Sequence, residues 1–310
     1  QDTIFEIPMV IHVFHTGGAP GTKYNPTDAA LEEWIDYLND VFAADYPGYP
    51  DSTNGGTPLP VRFALAKRDP QCAPTNGIER IDMSGNTKYV NYGLNSSGST
   101  GLDDNELTSI SQWPIDTYYN IYVVNKIDGE DGFCSACTFT AGYAYLGMSN
   151  PAPQDGAYML ARIAEKGQTT LPHEIGHALG LYHVFNKGSQ TVCPPNTGNC
   201  YEDNDKVCDT DPSRMLLGTC PSAASINPCT GAPYGANGVQ HNIMNYSQCP
   251  NHFTPGQAER MMFMLKTYRP NLINSWGALP PDSRENAPLA ADCIPTVQTT
   301  PTNANMGPCN

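Results

Sequence analysis

The segment from His173 to His183 carries the residues best suited to chemistry, and reads His-Glu-Ile-Gly-His-Ala-Leu-Gly-Leu-Tyr-His. On an α-helix, His173 and His177 leave the same face about 6 Å apart along the axis, which suits two ligands of one zinc ion. Glu174 is placed to reach a water on that metal as a general base. Gly180 can end the helix in a left-handed conformation, which lets His183 approach the metal from another side.

Three imidazole ligands leave the fourth tetrahedral position of zinc open. A structural zinc site closes that position with a further Cys or His, whereas an open position holds a water whose pKa falls to about 7. Two histidines four residues apart also occur by chance on ordinary helices, so the prediction depends on the longer pattern of five fixed positions. That pattern favours hydrolysis by an activated water.

The composition narrows the class of protein. A chain of 310 residues can bury a core as one large domain or as two subdomains around a cleft. With 16 basic and 31 acidic residues the net charge is -15, which argues against nucleic acid or anionic membranes as partners. Because no apolar run approaches the ~18 residues of a spanning helix, we expect no membrane segment. We expect a mature monomer from which an export signal has been removed.

Cysteine usage points to an oxidising compartment. The 11 cysteines are spread through an acidic chain rich in Gly and Pro, which is typical of disulfides and favours secretion. The odd number leaves at least one cysteine unpaired. Cys134 and Cys137 have the spacing of a redox pair, but their Gly-rich surroundings favour a structural bond. Cys293 or Cys309 could pin the tail of the chain.

Periodicity predicts an α+β fold with a mixed, twisted sheet and helices packed on it. Strands are expected at residues 7–15, 61–67, 118–124, 141–147 and 158–163. His12 and His15 in the first strand could form a second metal site, but packed histidines are far more common there. Asn25 is expected to cap an amphipathic helix that continues through Phe42. Residues 186–252 lack periodicity and hold six cysteines, so disulfides are expected to stabilise them.

The five-position pattern resembles the metzincin clan of zinc endopeptidases. Members of this clan also have a methionine-containing turn downstream, and residues 242–246 read Asn-Ile-Met-Asn-Tyr. Three further segments resemble the pappalysin family in particular: Val184-Phe185, residues 207–210 and residues 253–257. The match covers about residues 140–266.

The resemblance implies a metzincin-type fold and roles for two residues of the methionine turn. An upper subdomain, residues 1–184, would contain the sheet and the zinc helix, with strand 141–147 at the rim of the cleft. A lower subdomain, residues 185–277, would be irregular and disulfide-rich, and residues 278–310 would form a tail. Met244 would lie beneath the zinc ligands as an apolar floor. The hydroxyl of Tyr246 would donate to the tetrahedral intermediate, unless it is simply a buried tyrosine.

The family resemblance also implies a calcium site and two disulfides in the lower subdomain. Calcium would be held by Asp205, the Val207 carbonyl, Asp209 and Thr210, although a solvated acidic loop is the alternative. The implied disulfides are Cys200–Cys229 and Cys220–Cys249.

The resulting prediction is a secreted zinc metalloendopeptidase whose partners are protein or peptide substrates. The alternatives are a peptidase restricted to short peptides and a catalytically silent binding module on the same fold. Relatives with acidic residues after the methionine turn prefer Arg or Lys after the cleaved bond. Here residues 245–249 are uncharged, so that preference would need acids from residues 202–211.

Overall fold

The computed structural model describes residues 4–45, 56–98, 100–133, 138–147 and 152–281. Cys134 and Cys137, and most of the tail with Cys293 and Cys309, lie outside these ranges. The strands are β1 Phe5–His15, β2 Val61–Leu65, β3 Ile78–Asp82, β4 Tyr119–Val124, β5 Gly142–Ala144 and β6 Ala157–Leu160. The helices are α1 Asp28–Phe42, α2 Thr87–Tyr92, α3 Asp104–Thr108, α4 Thr170–Ala178, α5 Pro255–Tyr268 and α6 Pro270–Ile273.

The described strands form one mixed sheet in the order β2-β1-β4-β6-β5. All pairs are parallel except β5 with β6, so the prediction of a mixed sheet is confirmed. The 11-residue β1 is long enough to pair along one side with β2 and then with β3. β5 is the edge strand, which leaves one side of its backbone free of strand partners in the described residues.

Helix α1 packs against β2, and helix α4 packs against β5 and β6. The apolar face of α1 is buried as its period predicts, including Trp34 and Leu38. Its cap is Thr27, whose side chain accepts a hydrogen bond from the Ala30 amide, and not Asn25 as expected from the sequence. Asn25 instead donates to the Gly18 carbonyl. None of the helices in the described ranges is long and apolar enough to cross a membrane.

Strand β3 was not expected from the sequence, because its charged residues do not show the apolar pattern of a strand. In the structure these charged side chains have partners inside the fold. Glu79 contacts His12, Ser111 and the Trp113 indole, while Arg80 binds Asp28 on α1. His12 is fully buried, and its second ring nitrogen lies 2.9 Å from the Asn120 side chain. His12 therefore belongs to a buried polar cluster, which agrees with a structural role.

The lower half of the described chain has little regular structure and is cross-linked. The expected Cys220–Cys249 bond is present. The expected Cys200–Cys229 bond is wrong: Cys229 pairs with Cys193, and Cys200 pairs with Cys208 across only eight residues. The compact loop 200–208 brings Cys200 and Cys208 to a Cα separation of 5.0 Å, within the range that a disulfide can bridge.

Candidate active site

Helix α4 and the turn after it bring three histidines together. His173 and His177 lie one turn apart on α4, and Gly180 follows the helix with a φ of +89°. This left-handed residue reverses the chain, so the Nε2 atom of His183 lies 3.1 Å from that of His173 and 3.0 Å from that of His177. The His183 ring is fixed by stacking on Phe185, with ring centroids 4.5 Å apart.

The hydrogen bonds made by the Nδ1 atoms determine which ring nitrogens can bind a metal. Nδ1 of His173 donates to the Ile243 carbonyl at 2.6 Å, and Nδ1 of His177 donates to the Leu181 carbonyl at 2.8 Å. Because those protons lie on Nδ1, the Nε2 atoms of both rings are lone-pair donors that point at one place. Burial also lowers the pKa of all three rings, that of His183 to about 3, so they stay neutral.

These three nitrogens fit a zinc ion. At a Zn–N distance of about 2.0–2.1 Å, tetrahedral geometry separates two nitrogens by about 3.4 Å, close to the 3.1 and 3.0 Å between these Nε2 atoms. Lone pairs of neutral imidazoles repel at this distance unless a cation lies between them. The donor set therefore matches the zinc ligands predicted from the sequence, His173, His177 and His183.

Glu174 lies beside this cluster and is almost fully buried. Burial raises the pKa of its carboxyl to about 8, and a hydrogen bond from the Ala144 backbone amide opposes that rise. Ala144 belongs to edge strand β5. The carboxylate is therefore held between the zinc helix and the rim of the cleft, within the site predicted for a general base.

The methionine turn lies beneath the histidines. Met244 is fully buried, and a Cβ added at Gly176 of α4 would lie 2.5 Å from its sulfur. The turn is held by the Asn242 side chain, which accepts from the Met244 amide at 2.9 Å and is bound in turn by Gln257. Met244 thus packs under α4, and the turn supplies the Ile243 carbonyl that accepts a hydrogen bond from His173.

The ring of Tyr246 faces the histidines. Its centroid lies 4.9 Å from that of His183 and 5.3 Å from that of His173. Burial raises the pKa of its hydroxyl to about 12, so the group remains a proton donor at neutral pH. The residue as a whole is 39% exposed.

A cleft of about 430 Å³ opens beside Glu174 and His173. One wall is formed by residues 138–142, which lead into β5, and another by Met215, Leu217, Ile243, residues 245–247 and Pro250. The two wall residues Met215 and Leu217 were not predicted, because they lie in a stretch without periodicity. A peptide in this cleft would lie between the free edge of β5 and the methionine turn.

The acidic loop holds three of the four residues predicted to bind calcium close together. The Thr210 hydroxyl lies 2.7 and 2.8 Å from the Asp205 oxygens and 2.8 Å from the Val207 carbonyl. Burial raises the pKa of Asp205 to about 7. The Asp209 carboxylate instead accepts hydrogen bonds from the Thr254 hydroxyl and the Gly256 amide at the start of α5, which argues against a calcium ligand from its side chain.

The fold resembles solved structures of mirolysin. A structure titled mirolysin in complex with compound 9 matches with a TM-score of 0.65 and 24% identity, over 89% of this chain and 98% of that one. Mature mirolysin from Tannerella forsythia, in complex with a cleaved peptide, matches with a TM-score of 0.63 and 23% identity over the same shares. At this identity the similarity shows the fold alone, which is that of a metzincin.

Curated relatives include fungal extracellular metalloproteases. One from Arthroderma benhamiae is 34% identical over 185 residues, 56% of this chain and 56% of that protein. Extracellular metalloprotease 1 from Coccidioides posadasii is 30% identical over 161 residues, 48% of this chain and 50% of that protein. The chain thus aligns with only about half the length of these relatives.

The family comparison covers the zinc helix, the acidic loop, the methionine turn and most of α5. The family model described as Pregnancy-associated plasma protein-A matches residues 101–266, more than half of the chain. Together with the metzincin fold, this match shows that the chain belongs to the peptidase M43 family, the pappalysins.

Proposed function

We propose that the chain is a secreted zinc metalloendopeptidase. The observation that carries the proposal is the convergence of three neutral Nε2 atoms, from His173, His177 and His183, next to the buried carboxylate of Glu174. When bound, zinc supplies a Lewis acid that polarises a scissile carbonyl and acidifies a water. The Ile243 and Leu181 carbonyls orient two of the three ligand rings.

Glu174 is the proton carrier in this proposal. Its carboxylate takes a proton from the attacking water and delivers that proton to the nitrogen of the leaving amine. The Ala144 amide holds the carboxylate in place. Glu174 is only 6% exposed, and low exposure to solvent strengthens the electrostatic contacts that its carboxylate makes.

Tyr246 is proposed to donate its hydroxyl proton in a hydrogen bond to the oxyanion that develops on the substrate. Its position against His173 and His183 and its raised pKa support this role. We expect Tyr246→Phe to lower kcat more than it raises KM, because the hydrogen bond forms mainly in the transition state.

Substrate binding is proposed to use the free edge of β5. An extended peptide adds to such an edge through backbone hydrogen bonds, which are independent of sequence, while side chains enter the neighbouring cleft. This mode suits unfolded or flexible segments of proteins as well as peptides.

Glu174→Gln tests the proposal because it removes the base and keeps the shape of the side chain. We expect zinc to stay bound and peptide cleavage to fall by about 10²–10⁴-fold, the usual contribution of a general base. The assay is digestion of a folded protein, a denatured protein and a peptide mixture, followed by identification of the new termini. Unchanged cleavage in the variant would contradict the assigned role.

The same digestion separates the two alternatives. Cleavage of peptides without cleavage of either protein form would indicate a peptidase restricted to short peptides. No cleavage of the folded protein, the denatured protein or the peptides by the zinc-loaded chain would indicate a binding module. We also propose a division at residue 184 between an upper and a lower subdomain and a monomeric state, both measurable by limited proteolysis and by sedimentation.

A calcium site in the acidic loop is part of the proposal. Asp205, the Val207 carbonyl and the Thr210 hydroxyl supply three convergent oxygens, and the buried Oδ1 of neighbouring Asn204 has no hydrogen-bond partner in the described structure. A calcium-selective chelator is expected to lower the unfolding temperature while zinc stays bound. An unchanged unfolding curve would count against the site.

Secretion is supported by the oxidised cysteines of the lower half and by the names of the fungal relatives. Immunodetection of the protein in the medium and in the cell pellet of its source culture would test this.

A further inference from the structure

The cleft beside Glu174 has an uncharged, largely apolar wall opposite β5. Met215, Leu217, Ile243 and Pro250 contribute apolar surface, and the other lining residues apart from His173 and Glu174 carry neutral side chains. Of the lining residues that the structure describes, Glu174 has the only carboxylate. A side chain that enters this cleft therefore meets apolar surface and no acid besides the proton carrier itself.

The acidic loop does not supply a missing negative charge. Asp203 accepts from the Thr197 hydroxyl, Asp205 from Thr210, and Asp209 from Thr254. Asp211 accepts from the Asn237 amide. Each of these four aspartates is held by a partner within the lower half of the fold, and neither they nor Glu202 line the cleft.

The wall is also held in a fixed position. The side-chain oxygen of Asn245 accepts from the amides of Leu216 and Tyr246, and its NH₂ group donates to the Ser213 hydroxyl. These bonds tie residues 213–217 to the methionine turn. The Cys220–Cys249 bond closes the far end. The apolar wall is thus preformed before a substrate arrives.

Neutral polar atoms in the wall cannot replace a carboxylate. Ser247 lines the cleft, but its Oγ is buried and has no hydrogen-bond partner in the described structure. A hydroxyl can bind a polar atom of the substrate, but it does not carry the full charge that a desolvated ammonium or guanidinium requires. The cavity of about 430 Å³ has room for one large side chain.

Resting on the peptidase activity proposed above, we propose that this cleft selects a large apolar residue, such as Leu, Met or Phe, directly after the scissile bond. Glu174 delivers its proton to the leaving amine, so the cleft that Glu174 lines belongs to the residue that carries that amine. Met215 and Leu217 set the preference, because their side chains supply apolar surface to the wall where a basic substrate side chain would need a carboxylate.

The first test is a comparison of peptides that differ only in the residue after the cleaved bond. Sequencing the new amino termini from a peptide library gives the starting peptide, in which that residue is then changed to Leu, Met, Phe, Arg, Lys or Asp. We expect kcat/KM for the best apolar residue to exceed that for Arg by about tenfold or more. Preference for Arg or Lys would overturn the inference and leave the peptidase proposal intact, whereas no cleavage of any peptide would overturn both.

The second test places a carboxylate in the wall. Leu217 is 50% exposed, so Leu217→Asp is tolerated by the fold, and Leu279→Asp, at a leucine that is 51% exposed outside the cleft, is its matched control. We expect Leu217→Asp to raise the ratio of kcat/KM for Arg over Leu by about tenfold or more, and Leu279→Asp to leave that ratio unchanged. Equal ratios in both variants and the parent would overturn the assignment of Leu217.

Discussion

The contact between Gly176 and Met244 gives a prediction that joins stability to zinc binding. Gly176 lies on α4 between the first two ligands, and a Cβ there would be 2.5 Å from the Met244 sulfur and 3.5 Å from Phe253. Ordinary contacts lie at about 3.5–4.0 Å, so Gly176→Ala requires a shift of about 1 Å in a side chain with no exposed surface. Either the Met244 side chain or the turn that carries it must move.

The expected cost follows from two opposing effects. Overpacking a buried site costs about 1–3 kcal/mol, and replacing glycine by alanine inside a helix contributes about 1 kcal/mol of stability. We therefore expect Gly176→Ala to lower the free energy of unfolding by about 1 kcal/mol. Movement of the turn would also pull the Ile243 carbonyl from His173, and loss of such a partner lowers metal affinity by about 10–100-fold.

The sign of the effect should reverse when Met244 is shortened. Met244→Ala leaves a cavity, and alone it should cost about 2–5 kcal/mol. In that background a methyl group at position 176 has room, so Gly176→Ala is expected to stabilise the protein by up to about 1 kcal/mol.

Urea unfolding of the oxidised protein in chelator measures the free energies, and chelator competition measures zinc affinity. Gly85→Ala is the control, because a Cβ at Gly85 meets nothing within 4 Å, and it should change stability by less than about 0.5 kcal/mol. If Gly176→Ala stabilises the parent protein and leaves zinc affinity unchanged, the close contact does not constrain the site.

Three further predictions concern the fold and the metal. Hydrogen bonds from His12, Ser111 and Trp113 lower the pKa of Glu79 to about 2, so its stabilising effect is complete above about pH 4.5 and is lost as the pH falls towards 2. Because the side chain is 37% exposed, Glu79→Gln should cost only about 1 kcal/mol at pH 7 in urea unfolding, with the difference vanishing near pH 2. Asp155→Asn should lower the free energy of unfolding by about 3–5 kcal/mol, because it leaves Arg269 buried without its counter-charge. Replacing both residues by apolar ones should restore most of that loss. An equal loss in the single and the double variant would contradict this account. Removal of zinc by a chelator should abolish peptide cleavage, and added zinc should restore it; cleavage that persists after verified zinc removal would refute the metal assignment.

The sequence predicts the elements whose residue pattern is local. The apolar run of β1 and the helical period of α1 each appear in the structure. The zinc site is predictable for the same reason, because its ligands lie within 11 residues and a helix followed by a glycine turn fixes their geometry.

Features that depend on distant or backbone contacts were not predictable. Strand β3 is stabilised by partners on α1 and β1; three of its five residues are charged, and none of the five is fully buried. Disulfide connectivity cannot be read from spacing, and the pairing of Cys200 that the family resemblance implied was wrong. The Ala144 amide that contacts Glu174 has no signature in the sequence, since any residue except proline supplies the same group.

The hydrogen bond from the Ala144 amide to Glu174 affects which substitutions the protein tolerates. Strand β5 presents one backbone edge to an incoming chain, while an amide of the same three-residue strand restrains the proton carrier. Side-chain drift at position 144 leaves this restraint intact, because a main-chain group makes it. Substitutions in the other wall of the cleft can therefore change substrate selectivity while Glu174 keeps its hydrogen bond from the main chain. Proline at position 144 is the single replacement that removes the amide proton itself.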